Sequence, residues 1–340
     1  MITVVEPGRF TSFQDLGRSG YAHLGVPHAG AVDSLGMRQA NLLVGNPQDA
    51  ATLEMTLQGP TLHFGVDAVV AFSGGRLEPS LDGEPLPMHQ SLQISAGQTL
   101  GCGKLLSGVR SYLAIAGGFS PPATLSSRSS DSFAGLGPPL LCAGDLIHCE
   151  TRTLKCGWYL RSPAGFTHDA GVRVMAGPHD DWFEAQALQQ LLDGSYEVRA
   201  ESDRTGLRLK GARIAQRRGV ELPSQGMVSG AIQIPGDGQP IVLLCNHGST
   251  GGYPVIAVVI QADLPHLGQL RAGDRLRFAA VTRAQALAAY RHAESALQNS
   301  LVSADAGLLA ARSLLVLARE HPSLRRAKLQ LGRWHVAVRR

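Results

Sequence analysis

The sequence predicts a mainly β protein, and three observations carry that expectation. Its 340 residues include 40 glycines and 19 prolines against 5% aromatics, a turn-rich composition that suits many short elements better than long helices. Apolar and polar residues alternate in short segments spaced roughly ten residues apart and bounded by glycine, the pattern of half-buried strands. Three turn-plus-strand units, SAGQTLGCG (95–103), CAGDLIHCE (142–150) and RAGDRLRFA (271–279), each set Ala-Gly and a polar residue before a strand. Their recurrence in both halves predicts two related β-barrel subdomains.

Taken in order, the strand candidates of the first half are TLHFGV, AVVAFSG, SLQISAG, TLGCGKL and SYLAIAGG. One helix interrupts this half: DSLGMRQANLLVGN offers Asp33 or Ser34 as N-cap. Its apolar face is Met37, Ala40, Leu43 and Val44, with Gly45 or Asn46 as the stop. A second, DDWFEAQALQQLLDG, has Asp180 or Asp181 at its start and Gly194 at its end. The Ala/Leu-rich stretch from about 283 to 320 reads as helix and is set apart from the barrels. The expected organisation is a subdomain over 1–155, a second over 156–283 and a basic helical extension over 284–340.

The chain is basic, with a pI near 8.9, but the charge is uneven. Residues 281–340 hold ten Lys or Arg against three acids, while the preceding 280 hold 21 against 24. Basicity is therefore a property of the tail, which argues against nucleic acid as the main ligand, since phosphate binding needs a clustered cationic surface. The five cysteines (Cys102, Cys142, Cys149, Cys156, Cys245) form no C-x-x-C pair, match no zinc spacing and read as reduced thiols. The opening MITVVEPGRF lacks a basic, then apolar, leader pattern and no 18-residue apolar run occurs, so a soluble cytoplasmic protein is expected. No G-x-S-x-G elbow, phosphate-binding G-x-x-x-x-G-K-[ST], strand-linked G-x-G-x-x-G or H-E-x-x-H appears. The scattered His23, His28, His63 and His148 form no metal set.

What remains is a series of polar islands in Gly/Pro-rich turns: 12–33, SSRSSDSF (126–133), GPHDDWF (177–183), ESDRTGLRL (201–209), GAIQIPGDGQP (230–240) and NHGSTGGYP (246–254). The last lies between the apolar runs IVLLC and VIAVVI, where a hairpin needs only two to five residues.

QDLGRSGYAHLGVPHAGAVD with ANLLVGN, then AGPHDDWF, SDRTGLRLKG, GAIQIPGDGQPIVLL and TGGYPVIAVVIQADL together resemble the biotin-dependent carboxyltransferase A/B-subdomain family, in order from about residue 2 to 282. That family includes the C subunit of bacterial 5-oxoprolinase, the homologous part of urea carboxylase, and an antagonist of a sporulation kinase inhibitor. The resemblance implies two cyclophilin-like β-barrel subdomains with short helices. As a stand-alone chain it is most similar to the 5-oxoprolinase branch, which implies ATP-dependent opening of 5-oxoproline to L-glutamate with an A-type and a B-type subunit. The alternatives are a carboxyltransferase component of a urea-carboxylase-type enzyme and a non-catalytic regulatory binding protein. No cofactor is expected on this chain alone. ATP would serve the complex, and no Met-Lys-Met carrier motif implies biotin here. Relatives usually carry Asp at the position of Asn246 and Gln-Thr-Thr in place of Gly248-Ser249-Thr250.

Opening a lactam, or moving a carboxyl group between nitrogens, needs donors for a developing oxyanion, a cation for a carboxylate and an acid/base. Gly251 and Gly252 let backbone N–H groups approach a ligand, and Ser249, Thr250 and Tyr253 add hydroxyls, although these groups can equally satisfy their own loop. Arg204 has the fork for a carboxylate, with Asp203 as orienter or base; an ion pair at a strand end is the alternative. Arg18 could line the same cleft or pair with Asp15 in a turn. His179 stands at a helix start, and Gln233 faces away from Ile232 and Ile234. With Asn246 unable to take a proton, His247 is the nearest acid/base at neutral pH. The expected catalytic groups are thus Asp203, His247 and Tyr253. Arg18, His179, Arg204, Gln233, Ser249, Thr250, Gly251 and Gly252 are the expected substrate contacts, and no metal is expected.

Overall fold

The computed structural model describes residues 1–150, 157–160, 169–179, 182–217, 222–303, 328–331 and 334–337. In the first half the strands are β1 (Ile2–Glu6), β2 (Thr11–Gln14), β3 (Thr52–Thr56), β4 (Thr61–Phe64), β5 (Ala68–Leu77), β6 (Ser80–Leu81), β7 (Glu84–Pro85), β8 (Ser91–Ile94), β9 (Thr99–Gly101), β10 (Leu105–Ile115) and β11 (Leu146–Ile147). They form a six-stranded sheet, β11-β1-β4-β9-β6-β7, and a five-stranded sheet, β2-β3-β10-β5-β8. Alternate residues of the two sheets, among them Ile2, Leu53, Phe64, Phe72, Leu100 and Leu113, share one core.

Strand β5 is buried along almost its whole length because its second face is covered too. Helix α1 (Ser34–Leu43) lies there, packing Met37, Ala40 and Leu43 on Val69, Ala71, Tyr112 and Ala114. Its start is the expected one: Asp33 caps it by accepting from the Gly36 N–H at 2.8 Å.

The second half closes on itself. After β12 (Trp158–Leu160) come β13 (Asp169–Ala176), α2 (Ala187–Asp193), β14 (Tyr196–Val198), β15 (Gly206–Lys210), β16 (Gln225–Gly226), β17 (Ala231–Gln233), β18 (Ile241–Leu243), β19 (Thr250–Gly251), β20 (Val255–Val259), α3 (Leu264–Leu267) and β21 (Arg275–Ala280). Seven of these form a closed barrel in the order β13-β20-β17-β18-β15-β14-β21. Val172, Tyr196, Leu207, Leu209, Ile232, Val242, Ile256 and Phe278 fill it, so it is a packed core with no room for a ligand. The mainly β expectation holds, with one refinement: the second half is the closed barrel, while the first encloses its core between two sheets. The α2 helix ends before Gly194 as expected but begins after Gln186, which provides no side-chain cap, and Asp180 and Asp181 lie outside the described residues.

Helix α4 (Arg283–Gln298) opens on a reciprocal capping box between Thr282 and Gln285. It is held to α1 by a bidentate pair, with Arg38 Nη1 and Nη2 each donating to Glu294 at 2.6 Å. The chain then returns as β22 (Leu301–Ser303), antiparallel to β12, and ends in a hairpin of β23 (Lys328–Leu331) and β24 (Trp334–Ala337). The described part of the extension therefore mixes helix and strand; most of the predicted helical stretch beyond 303 lies outside the described residues. No helix among the described residues is long and apolar enough to cross a membrane. Cys102, Cys142, Cys149 and Cys245 are free thiols, and Cys156 lies outside the described residues.

A polar seam joins the halves. Gln269 is its hub: Nε2 donates to Asp33 Oδ2 (2.6 Å) and the Arg110 carbonyl (2.8 Å), and Oε1 accepts from the N–H groups of Val109 (3.0 Å) and Arg110 (3.1 Å). Arg110 returns a bond to the Gly268 carbonyl at 2.6 Å, and Arg271 donates to the carbonyls of Gly108 (2.7 Å) and Leu105 (2.9 Å). Such buried networks fix relative orientation because each lost partner strands a desolvated group.

Candidate functional site

At the middle of the seam sits Glu54 of β3, wholly buried. A carboxylate in a strand reading TLEMT needs partners, and it has four. Arg204 Nη1 donates to its Oε1, Arg110 Nε lies 3.5 Å from the same oxygen, and Oε2 accepts from Tyr112 Oη (2.7 Å) and the Val32 N–H (3.0 Å). Burial alone would push this carboxyl up; Arg204 and Arg110, with the Tyr112 and Val32 donors, bring it below its usual range. Arg204 is thereby committed. Besides Glu54 it donates to the Gly30 carbonyl (2.5 Å) and, through Nε (3.2 Å) and Nη2 (3.1 Å), to Asn246 Oδ1. Asn246 uses its oxygen here, so an amide and a carboxylate suit this position alike.

The structure thus corrects the expectation for Arg204: it is a tie between halves rather than an open anion clamp. Arg18 is corrected in the same way. It is 2% exposed beneath the 127–137 loop, where Nη2 donates to the Ser129 carbonyl at 2.5 Å. Asp15 does not pair with it directly but accepts from Ser127 Oγ, Ser129 Oγ and the Arg128 N–H, pinning the same loop. His179 is also taken up internally: Nδ1 accepts from the Val255 N–H at 3.1 Å, and Nε2 sits 2.8 Å from the Gln225 side-chain amide.

Ser249, Thr250, Gly251 and Gly252 fold back rather than face a cleft. Thr250–Gly251 pairs with Gln225–Gly226, and the Ser249 carbonyl accepts from the Met227 N–H. The glycine at 251 has a packing reason, because a Cβ there would come within 2.6 Å of Gln233 Nε2. Its absence lets Gln233 lie across the ladder.

Four of the expected residues do come together. Asp203, Gln233, His247 and Tyr253 line a groove of about 570 Å³ on the outer face of strands β15, β18 and β17. Ile241, Leu243, Pro235 and Pro240 give it apolar walls, and Phe133, 77% exposed at the tip of the 126–137 loop, reaches it from the first half. A second cavity of about 500 Å³ lies between α1, the 28–32 segment and α4, but its main charges, Arg38 and Glu294, neutralise each other. The groove is the better candidate, since it gathers acid/base and hydrogen-bonding groups from four separate segments.

Within it, His247 is 7% exposed and its Nδ1 donates to the Gly248 carbonyl at 2.7 Å, which leaves Nε2 as the basic nitrogen of the neutral ring. Burial pushes this imidazole below 6.5; the Gly248 carbonyl opposes that shift and nearby His28 adds to it. Gln233 is buried with its neighbours Ile232 and Ile234 turned into the barrel, as the alternation predicts. Tyr253 is half-exposed at the rim. Asp203 Oδ1 is occupied by Thr205 N–H (2.7 Å), Thr205 Oγ1 (2.5 Å) and Gly206 N–H (3.3 Å), an Asx turn that leaves only Oδ2 for other work. Two groove residues escaped the sequence reading, Arg199 and Arg208. The Leu207-Arg208-Leu209 alternation was the available signal, since it turns Arg208 away from the barrel core. No group of three or more His, Cys, Asp or Glu that could hold a metal ion occurs among the described residues.

Comparison with known proteins places this architecture. The family described as carboxyltransferase domain, subdomain A and B, matches residues 24–280. The chain is 34% identical over 292 residues to the 5-oxoprolinase C subunit of Escherichia coli, covering 85% of this chain and 94% of that one. It is also 34% identical over 301 residues to urea amidolyase of Saccharomyces cerevisiae, with 82% of this chain matched to 16% of that much longer protein. Among solved structures, the K. lactis urea amidolyase superposes with a TM-score of 0.81 at 29% identity, covering 89% of this chain and 20% of its own length. With its family resemblance, strand order and extent of match in agreement, the chain belongs to the carboxyltransferase subdomain A and B family.

Proposed function

We propose that this chain is the C subunit of an ATP-dependent 5-oxoprolinase, forming one wall of a lactam-opening site completed by a B-type subunit and served by an A-type subunit. The observation that carries the reading is extent: the chain matches 94% of the stand-alone E. coli protein, but only 16% of yeast urea amidolyase. The groove supplies suitable chemistry. The Tyr253 hydroxyl and Gln233 amide are donors for the carbonyl oxygen of a five-membered lactam, and the His247 imidazole exchanges the proton that ring opening requires. The sequence carries no nucleotide-binding loop, so ATP is assigned to the partners.

A carboxyltransferase role in a urea-carboxylase-type enzyme is the second reading, favoured by the 0.81 TM-score to K. lactis urea amidolyase. Biotin would then supply an activated carboxyl group, arriving on another protein because this chain has no carrier motif. The two readings separate in one experiment. Mixed with its A- and B-type partners, the chain is expected to support ATP-dependent conversion of 5-oxoproline to glutamate, and alone to show none. Turnover by the isolated chain would remove the complex, and carboxylation of urea from a carboxylated biotin carrier without 5-oxoproline turnover would favour the second reading.

A further inference from the structure

We propose that Arg208 holds the carboxylate of the lactam substrate, the role that Arg204 cannot fill; this rests on the 5-oxoprolinase reading above. The groove is lined by four charged residues, Arg199, Asp203, Arg208 and Asp237. Three are already engaged. Arg199 Nη2 donates to Glu201 at 2.9 Å, Asp203 closes its Asx turn, and Asp237 Oδ1 accepts from the Gln239 N–H at 3.0 Å. Arg208 binds Ser202 through its backbone N–H at 3.0 Å, but no hydrogen bond or ion pair among the described residues engages its guanidinium. Glu201 feels the Arg208 charge only from a distance, its carboxylate being paired with Arg199.

Register sets its position. Ile241 of β18 pairs with Arg208 on one side and with Gln233 on the other, so the three occupy one row across the outer face of the barrel. Neighbouring strands lie roughly 4.8 Å apart, which puts the backbones of Arg208 and Gln233 about 10 Å from each other with Ile241 between them. A small lactam bearing a carboxylate fits that span, its ring over Ile241, its amide toward Gln233 and its carboxylate toward the guanidinium. The planar fork matches a carboxylate with two parallel N–H bonds, and a guanidinium without a bonded partner loses none when it binds. Leu207 and Leu209, 3% and 1% exposed inside the barrel, hold the strand that carries Arg208.

The test compares wild type, R208Q and R208K in the reconstituted three-subunit enzyme, with 5-oxoproline and with 2-pyrrolidinone, the same ring without its carboxylate. R208Q is expected to raise KM for 5-oxoproline about 10- to 100-fold with kcat little changed, R208K to recover part of the loss, and any 2-pyrrolidinone turnover to be indifferent to residue 208. An unchanged KM in R208Q, in a wild-type enzyme that opens 5-oxoproline, overturns the role of Arg208 and leaves the function standing. Absence of 5-oxoproline turnover or binding by the wild-type complex overturns the functional reading, and Arg208 as its anchor falls with it.

Discussion

Replacing Glu54 with glutamine should destabilise the folded chain by about 3–5 kcal/mol, among the largest single-site effects available in this protein. The reason is the company it keeps: the substitution leaves Arg204 and Arg110 facing each other at the seam without the carboxylate that both address. Urea denaturation measures it directly. The double variant Glu54→Gln/Arg204→Gln should lose less than the sum of the single losses, because it no longer strands the Arg204 charge. The pH dependence has a definite sign. Since the folded state holds the Glu54 carboxyl below its ordinary value of 4.5, its contribution is complete above that pH and is lost as the pH falls through the folded value. A Glu54→Gln protein with wild-type stability at pH 7 would mean that the halves are held together by other bonds.

In the assembled enzyme, His247→Ala is expected to lower kcat by roughly 10²–10⁴, the range for loss of a general acid/base. With Nδ1 donating to the Gly248 carbonyl and burial holding the ring below 6.5, the imidazole is neutral at pH 7 and its Nε2 can accept a proton. The wild-type rate should accordingly decline on the acid side as this ring protonates, with an inflection below pH 6.5, and the variant should lack that limb. An unchanged kcat and acid limb in the variant would move the acid/base to another group, with Asp203 Oδ2 the next to test.

Much of the architecture was legible because it is written in local pattern. The alternation around Gln233 turned it out of the barrel, the Met37-Ala40-Leu43 stripe and Asp33 cap defined α1, and the polar surplus of NHGSTGGYP drew attention to His247 and Tyr253. The residues whose placement differed are those whose partners are remote. Arg204 meets Glu54, 150 positions earlier, and Arg18 lies under Ser129, 111 positions later. A side chain's charge shows that it needs a partner, but only the tertiary fold decides whether that partner is a ligand or another buried residue. Glu54 carried its own signal, a lone carboxylate between Leu53 and Met55, both fully buried. Arg208 was hidden for the opposite reason, since an exposed arginine on a strand looks like ordinary solvated surface until the groove around it is seen.

The pairing of β12 with β22 bears on how the molecule acquires its shape. Leu160 and Leu301 are partners across this ladder although roughly 140 residues separate them, and nearly all of those residues belong to the barrel and α4. Closing so long a loop in an unstructured chain yields only three residue pairs in return, which is a poor nucleus. Once the barrel has folded, its own compactness brings the two strands close, and the ladder becomes a short-range event. The barrel therefore folds as an insertion whose flanking strands zip afterwards, and in pulse-labelled hydrogen exchange the amides of Val172 and Val242 should gain protection before those of Leu160 and Leu301. Protection of the ladder first would instead make these two strands the clasp around which the barrel assembles.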